Sequence, residues 1–162
     1  MSPPLIEALL EGRRAEAEAI AGLTLPQDWP DAHDERFLRL RLAQMRDDAA
    51  TQPWLARALV LEQRGRPMIG HIGFHGPPDA RGVAEMGYTV FSPYRRRGYA
   101  LEAARAMMDW ALREHSVRLF RVSISPANEP SLRMAAKMGF RHTGEQIDEE
   151  DGLELVFELA HE

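Results

Sequence analysis

A short segment rich in arginine and glycine has the residue types that bind a phosphate. Its residues are Arg95, Arg96, Arg97, Gly98, Tyr99 and Ala100. The amide N–H groups at the start of a helix have no intrahelical acceptor, and the helix dipole favours negative charge there. Glycine lets the backbone approach an anion closely, and guanidinium groups donate well to phosphate. The segment therefore predicts an anion site; a solvated arginine run is the alternative, although cations at a helix start oppose the dipole.

The flanking residues predict the strand and the helix that would present this segment. Residues 83–91 are rich in β-branched and aromatic types and end at Ser92-Pro93, where proline cannot continue a β-ladder. Beyond the segment, apolar residues recur on one helical face, at Leu101, Ala104, Met108, Ala111 and Leu112. We therefore predict a strand, an arginine-rich loop and a long amphipathic helix.

A second segment, residues 125–140, places polar side chains at the start of a short helix. Pro130 suits the first helical position, and Gly139 suits the position after the last. Asn128 and Ser131 lie just before and inside the first turn. Both residue types are also ordinary helix caps, so the pattern leaves open whether they cap the helix or bind a ligand.

Together the two segments resemble those of the GNAT N-acetyltransferase superfamily, most closely its ribosomal-protein N-terminal acetyltransferase branch. Arg95, Gly98 and Ala100 occupy the defining places of the family's Arg/Gln-x-x-Gly-x-Gly/Ala loop. Residues 128–140 are similar to its Asn-x-x-Ser/Ala … Lys-x-Gly-Phe segment. Finding both in one chain is much more specific than either alone. The resemblance covers residues 5–159.

The resemblance implies that acetyl-coenzyme A is the cofactor. In the family, this cofactor threads a V-shaped opening between two strands, which here would end at Val90 and Ser125. The implied cofactor-binding residues are Thr89, Val90, Phe91, Arg95, Arg96, Arg97, Gly98, Tyr99, Ala100, Asn128, Ser131, Arg133 and Lys137. Arg133 and Lys137 are equally well interpreted as solvated helix charges.

The implied reaction transfers an acetyl group from a thioester to an amine. The amine is ordinarily protonated at neutral pH and must lose a proton before it attacks, so a general base is needed. Glu85, on the strand that would line the opening, is the candidate base, and a surface carboxylate is the alternative interpretation. A strand N–H near Val90 would hold the developing oxyanion.

The group that protonates the leaving thiolate is less well specified. Many relatives have a tyrosine four residues before the glycine of the second segment, where this chain has Ala135. Ser131 occupies the place that looks able to serve instead in the ribosomal-protein branch, and Tyr88 and Tyr99 are weaker alternatives. A thiol leaves readily without full protonation. The predicted catalytic residues are therefore Glu85 and Ser131.

The order of predicted elements indicates an α+β fold in a single domain, residues 1–162. Helices are expected over residues 3–22, interrupted at Gly12, and over residues 34–45. Strands are expected over residues 54–62, 68–75, 83–91, 119–125, 140–147 and 153–159, with a last turn near Asp151-Gly152. This is a GNAT-like mixed, mostly antiparallel central sheet flanked by helices. The family's usual first strand is missing, which leaves the sheet one strand short or the gene start suspect.

Composition excludes several classes of function. The chain has no cysteine, which excludes disulfides and thiolate metal sites. His71 and His75 have the spacing of a helical metal site, but on a strand their side chains would lie roughly 13 Å apart, so no metal is expected. A net charge of -5 argues against broad nucleic-acid binding. Without a membrane-length apolar run or a secretory signal, we predict a cytoplasmic enzyme that binds neither nucleic acid nor membrane.

For the acceptor and the partners, the sequence predicts a chemical class and no individual molecule. The acceptor would be a protein α-amine or a small-molecule amine, an aminoglycoside included. The helices within residues 3–45 would form its lid, with Trp29, Phe37 and the acidic turn at residues 148–151 nearby. A homodimer could form at the sheet edge left by the absent strand. The alternative function is a non-catalytic acyl-CoA-binding sensor or assembly module on the same fold.

Overall fold

The computed structural model describes residues 1–149 and 152–161, and its helices and strands follow the predicted order. The helices are α1 (Pro3–Leu10), α2 (Arg14–Ala21), α3 (Ala32–Asp47), α4 (Tyr99–His115) and α5 (Glu129–Met138). The strands are β1 (Arg57–Val60), β2 (Met68–Phe74), β3 (Val83–Val90), β4 (Leu119–Ile124), β5 (Arg141–Asp148) and β6 (Gly152–Ala160). Short 3₁₀ turns lie at Ala49–Thr51 and Ser92–Tyr94.

The described strands form one sheet in the order β1-β2-β3-β4-β6-β5. Strands β1 and β2 are antiparallel, as are β4 and β6, and β5 and β6. Strands β3 and β4 are parallel, as expected of two strands joined by the crossover helix α4, and their register pairs Val83–Glu85 with Leu119–Arg121. The predicted α+β class with a mixed, mostly antiparallel sheet is confirmed.

The chain divides into two compact units. The first comprises Met1–Gly73 and Tyr88–Tyr99, and the second comprises Phe74–Gly87 and Ala100–Glu162. Strand β3 therefore contributes to both. That the whole chain is a single domain stays a prediction.

In the first unit, one face of each N-terminal helix is buried. Helix α3 buries Leu38, Arg41, Leu42 and Met45, which recur at the spacing of one helical stripe. The apolar members of this stripe, Leu38, Leu42 and Met45, join a cluster that includes Ile6 of α1, Ala17 of α2 and Met68 of β2. The first turn of α3 is held by a capping box: Asp31 Oδ1 accepts from the amides of His33 and Asp34, while Asp34 Oδ2 accepts from the amide of Asp31.

Removing this cap should destabilise the fold. Asp31→Ala deletes two hydrogen bonds to helix-terminal amides, which costs about 1 kcal/mol for a typical cap. Asp28→Ala, an exposed position in the preceding loop, is the matched control and should change the free energy of unfolding by less than about 0.5 kcal/mol. Urea denaturation checks both variants, and equal stabilities would show that the box does not hold α3.

In the second unit, α4 and the sheet contribute aromatic and apolar residues to the core. The Phe74 ring stacks on Trp110 of α4 and on Phe120 of β4, with centroids 6.3 and 6.2 Å apart. Ala104, Met107, Met108 and Ala111 form the buried face of α4. Helix α5 ends at Gly139, whose φ of 90° is the left-handed conformation of a C-terminal glycine, as predicted.

Several predicted boundaries were wrong. The strand predicted from residue 54 begins at Arg57, because Trp54 and Leu55 donate instead to the turn carbonyls of Thr51 and Gln52. Helix α4 begins at Tyr99, whereas the predicted helical face began at Leu101. Strand β6 begins at Gly152, whereas residues 150 and 151 of the predicted acidic turn lie outside the described residues.

The N-terminal part of the chain is helical, and β1 is the first strand within the described residues. Before β1, Thr24 forms a single parallel bridge with Pro67. None of the described helices is both long enough and apolar enough to cross a membrane.

Candidate active site

The arginine-rich segment is attached firmly to the end of β3. The amides of Tyr94 and Arg95 donate to the carbonyls of Phe91 and Ser92 at 2.9 and 3.3 Å. The Arg95 side chain folds back, and its Nε donates to the Val90 carbonyl at 2.8 Å. One of the three predicted phosphate-binding arginines therefore also ties the loop to the strand. The loop is positioned by hydrogen bonds within its own unit.

The turn into α4 depends on two left-handed backbone positions. Arg96 has φ of 61° and Gly98 has φ of 86°. A side chain placed on Gly98 would meet no heavy atom within 4 Å, so the space over this residue is open. Helix α4 begins at the next residue, so its first-turn N–H groups have no intrahelical acceptor. The arrangement is suited to an anion that approaches the backbone at Gly98.

The arginines at this turn are exposed. Arg95, Arg96 and Arg97 all lie at the surface, and the Arg97 guanidinium carbon lies 6.0 Å from the centre of the Tyr94 ring. Exposed guanidinium groups are well suited to bind phosphate, and Tyr94 provides a surface against which Arg97 packs.

Strand β3 is approached very closely by β2 just before this loop. A Cβ on Gly70 would lie 2.1 Å from the Thr89 carbonyl oxygen and 3.0 Å from Val90 Cα. Only glycine fits there. The Phe91 amide donates to the Ile69 carbonyl at 2.8 Å, which fixes the end of β3 on β2. The segment 89–91 therefore has a rigid backbone.

Glu85 lies in a polar cluster in the second unit and is not an exposed surface carboxylate. Its side chain is 21% exposed, and its Oε1 accepts a 2.6 Å hydrogen bond from Ser123 Oγ. His75 Nδ1 lies 3.9 Å from Oε1, and Arg121 Nη1 lies 3.9 Å from Oε2. Arg121 is held in turn by Glu158, at 2.7 Å. Because His75 is about half exposed, the cluster reaches solvent.

The polar residues of α5 have local partners. The Asn128 side-chain oxygen accepts from the Ser131 amide at 3.3 Å, so Asn128 caps the helix. Arg133 forms an exposed ion pair with Glu129 at 2.8 Å, and Lys137 is also exposed. Ala135, which replaces the relatives' tyrosine, is buried. Asn128 therefore acts as a helix cap in this structure. The cofactor-binding roles of these residues stay predictions.

The sequence analysis missed a buried pair, Asp34 and His71. His71 Nε2 lies 3.6 Å from Asp34 Oδ1, and the His71 residue is only 7% exposed. Its ring stacks on Phe37, with centroids 4.9 Å apart, and Trp29 and Phe91 lie on its other sides at 6.4 Å. Burial raises the pKa of Asp34, but His71, the Asp31 amide and the Trp29 side chain together hold that pKa below its ordinary value. The sequence signal that could have pointed to Asp34 is the capping-box pattern, which predicts that this residue lies in the first turn of a helix.

The predicted site residues fall into two groups. Thr89, Val90, Phe91 and residues 95–99 belong to the first unit, together with the Asp34–His71 pair. Glu85, Ala100 and the α5 residues belong to the second unit. His71 and His75, for which no shared metal was expected, have different carboxylate neighbours, Asp34 and Glu85.

Comparison with known proteins decides the family. A model of the acetyltransferase (GNAT) domain matches residues 6–141, which is most of the chain. The chain belongs to this family. It is 30% identical over 82 residues to an uncharacterized N-acetyltransferase, YjdG, of Bacillus subtilis, a match that covers 51% of this chain and 49% of YjdG. The chain thus spans about half the length of this curated relative.

Solved acetyltransferase structures share the fold. The ribosomal-protein-S5-alanine acetyltransferase of Vibrio fischeri superposes with a TM-score of 0.62 at 17% identity, covering 99% of this chain and 88% of that one. The microcin C7 self-immunity acetyltransferase MccE, solved with acetyl-CoA and AMP, superposes with a TM-score of 0.61 at 12% identity, covering 98% and 88%. At such identities the likeness shows the fold alone.

Proposed function

We infer that this protein is an acetyl-CoA-dependent N-acetyltransferase that acts on a primary amine. The observation that carries the inference is the open, left-handed turn at Gly98, which joins a run of three exposed arginines to a helix start in a GNAT chain. The acetyl-CoA complex of MccE supports the choice of cofactor. The pyrophosphate is assigned to residues 95–100, and the pantetheine to the backbone of residues 89–91 and to Asn128 and Ser131.

Glu85 is the proposed general base. Its charge is balanced by Arg121 and oriented by the Ser123 hydroxyl, while the exposed His75 beside it leaves a route for water. A base acting through such a water takes a proton from the attacking nitrogen. A backbone N–H near Val90 is proposed to hold the oxyanion, and Ser131 to supply a proton to the leaving thiolate.

The acceptor is proposed to be a protein α-amine or a small-molecule amine. The ribosomal-protein-S5-alanine acetyltransferase of V. fischeri shares the fold, which is compatible with the first type of acceptor. Cofactor loops are shared across a fold, whereas specificity depends on variable helices and loops. The cytoplasmic location, the lid role of the N-terminal helices and dimer formation stay predictions.

A thiol-release assay with a panel of amines tests the proposed function. Free coenzyme A should appear only when the protein, acetyl-CoA and a suitable amine are all present, and mass spectrometry should show an acetylated acceptor. Calorimetry on the same protein measures acetyl-CoA binding. Tight binding without release for peptides, polyamines and aminoglycosides would favour the non-catalytic sensor instead.

A further inference from the structure

The Asp34–His71 pair combines a carboxylate and an imidazole whose positions are both fixed. The carboxylate is placed by the capping box, and the imidazole packs between aromatic rings. His71 Nε2 and Trp29 Nε1 are buried, and within the described part of the chain neither has a partner at full hydrogen-bond distance; both act on the Asp34 carboxylate and lower its pKa. A buried polar atom that is incompletely bonded costs about 1–3 kcal/mol. A native structure that keeps such groups calls for an explanation, and a catalytic role is one.

The loop that carries Trp29 is also held rigidly. The Arg14 guanidinium donates to the carbonyls of Pro26, Gln27 and Trp29 at 2.9, 2.8 and 2.7 Å. Trp29 itself is only 4% exposed. The His71 imidazole therefore lies among three aromatic side chains, Trp29, Phe37 and Phe91. Each of the three belongs to a different part of the fold.

The pair lies beside the strand end to which the proposed function assigns the thioester. His71 follows Gly70, where an added Cβ would lie 2.1 Å from the Thr89 carbonyl oxygen and 3.0 Å from Val90 Cα. Its ring meets Phe91 edge-on, with centroids 6.4 Å apart. A base at this position would therefore be near an amine that approaches an acyl group held at residues 89–91.

We propose that His71 takes the first proton from the incoming acceptor ammonium and that Asp34 positions it for that step. This inference rests on the proposed function. With hydrogen on Nε2, which faces Asp34, the lone pair lies on Nδ1, and the Asp34 carboxylate stabilises the imidazolium that forms. The 3.6 Å separation is longer than a hydrogen bond, and catalytic hydrogen bonds often tighten only when substrate binds.

The acceptor nitrogen loses two protons in the course of the reaction. An acceptor ammonium has to lose one proton to become a nucleophile, and His71 takes this one. The amine then attacks the thioester carbonyl, forming a C–N bond and an oxyanion, and the nitrogen loses its second proton. As the carbonyl reforms, the C–S bond breaks. One of the two protons ends on the thiolate, giving coenzyme A thiol, and the other passes to solvent.

Both a negative and a positive side chain lie near the His71 ring. Among the described residues, helix α3 supplies the Asp34 carboxylate and also Arg41, whose guanidinium carbon lies 4.9 Å from the centre of the Phe37 ring. The residue opposite on β1 is Ala58, the residue that follows β3 is Phe91, and the α2–α3 loop supplies Trp29. Asp34 and Arg41 are thus the charged groups near the ring, and both belong to α3.

The test compares His71→Gln with the wild type at two pH values. At pH 7, where the acceptor is an ammonium, kcat/KM should fall by about 100-fold. One unit above the pKa of the acceptor amine, the amine arrives neutral, so the variant should approach the wild-type rate. Asp34→Asn should show the same pattern, which keeps the test valid if His71→Gln does not fold. His33→Gln, an exposed change on the same helix, is the control and should have no effect.

The outcomes separate this inference from the proposed function. A deficit that is equal at both pH values in both variants would show a structural role and overturn the inference. Wild-type rates for both variants at pH 7 would also overturn it, with acetyl transfer itself intact. If the wild type binds acetyl-CoA but acetylates no amine, the proposed function fails, and the inference fails with it.

Discussion

Glu85→Gln is expected to lower kcat by about 100-fold or more while leaving acetyl-CoA affinity unchanged. Glutamine has the same size and can still accept the hydrogen bond from Ser123, so the polar cluster should keep its arrangement. The amide, however, cannot take a proton. The loss should appear in single-turnover measurements of acetyl transfer, and the pH profile of the remaining activity should shift.

The control for this variant removes a carboxylate of the same type elsewhere. Glu145→Gln makes the same change in charge at an exposed position of β5 and should leave kcat unchanged. The Glu85→Gln deficit should persist above the pKa of the amine, because the nitrogen still loses a proton after attack. This separates it from the deficit expected for His71→Gln. An unaltered rate would remove Glu85 from its proposed role.

Gly98→Val is expected to weaken acetyl-CoA binding by about 10- to 100-fold. At a φ of 86° a β-branched residue is strained by about 1–3 kcal/mol, so the turn should relax and move the amides at the start of α4. A difference of 1.4 kcal/mol corresponds to about tenfold in affinity. The valine side chain would also occupy the open space above the backbone. Isothermal titration calorimetry with acetyl-CoA measures the change.

Gly12→Val is a matched control within the same unit. Gly12 also has positive φ, at 70°, and a side chain there would meet no heavy atom within 4 Å. The two substitutions should therefore cost similar stability, and only Gly98→Val should change cofactor affinity. Equal affinities for both variants would contradict a phosphate site at this turn.

The fold could be predicted from sequence where local and tertiary signals agree. Proline at the start of α5 and Gly139 at its end fixed that helix, and the crossover from β3 through α4 to β4 fixed a parallel pair. The prediction failed where a local turn overrides strand propensity, as at Trp54 and Leu55.

The site was predicted only in part, because sequence carries the motif loops but not long-range side-chain geometry. The assignment of a phosphate site to Gly98 and its arginines came from residue types, spacing and the family resemblance, and it stays a prediction. The contact of Glu85 with Ser123 joins residues on two neighbouring strands, and the Asp34–His71 pair joins a helix start to a distant strand. No local pattern encodes such pairs. His71 was considered only as a metal ligand, since its stacking on Phe37 is visible only in the folded chain.

A crystal structure of the complex with acetyl-CoA is the most direct test of the whole account. It should show the diphosphate within hydrogen-bond distance of the backbone amides at Gly98, Tyr99 and Ala100, with an arginine of the same turn on a phosphate oxygen. A diphosphate bound elsewhere, with those amides facing solvent, would contradict the account.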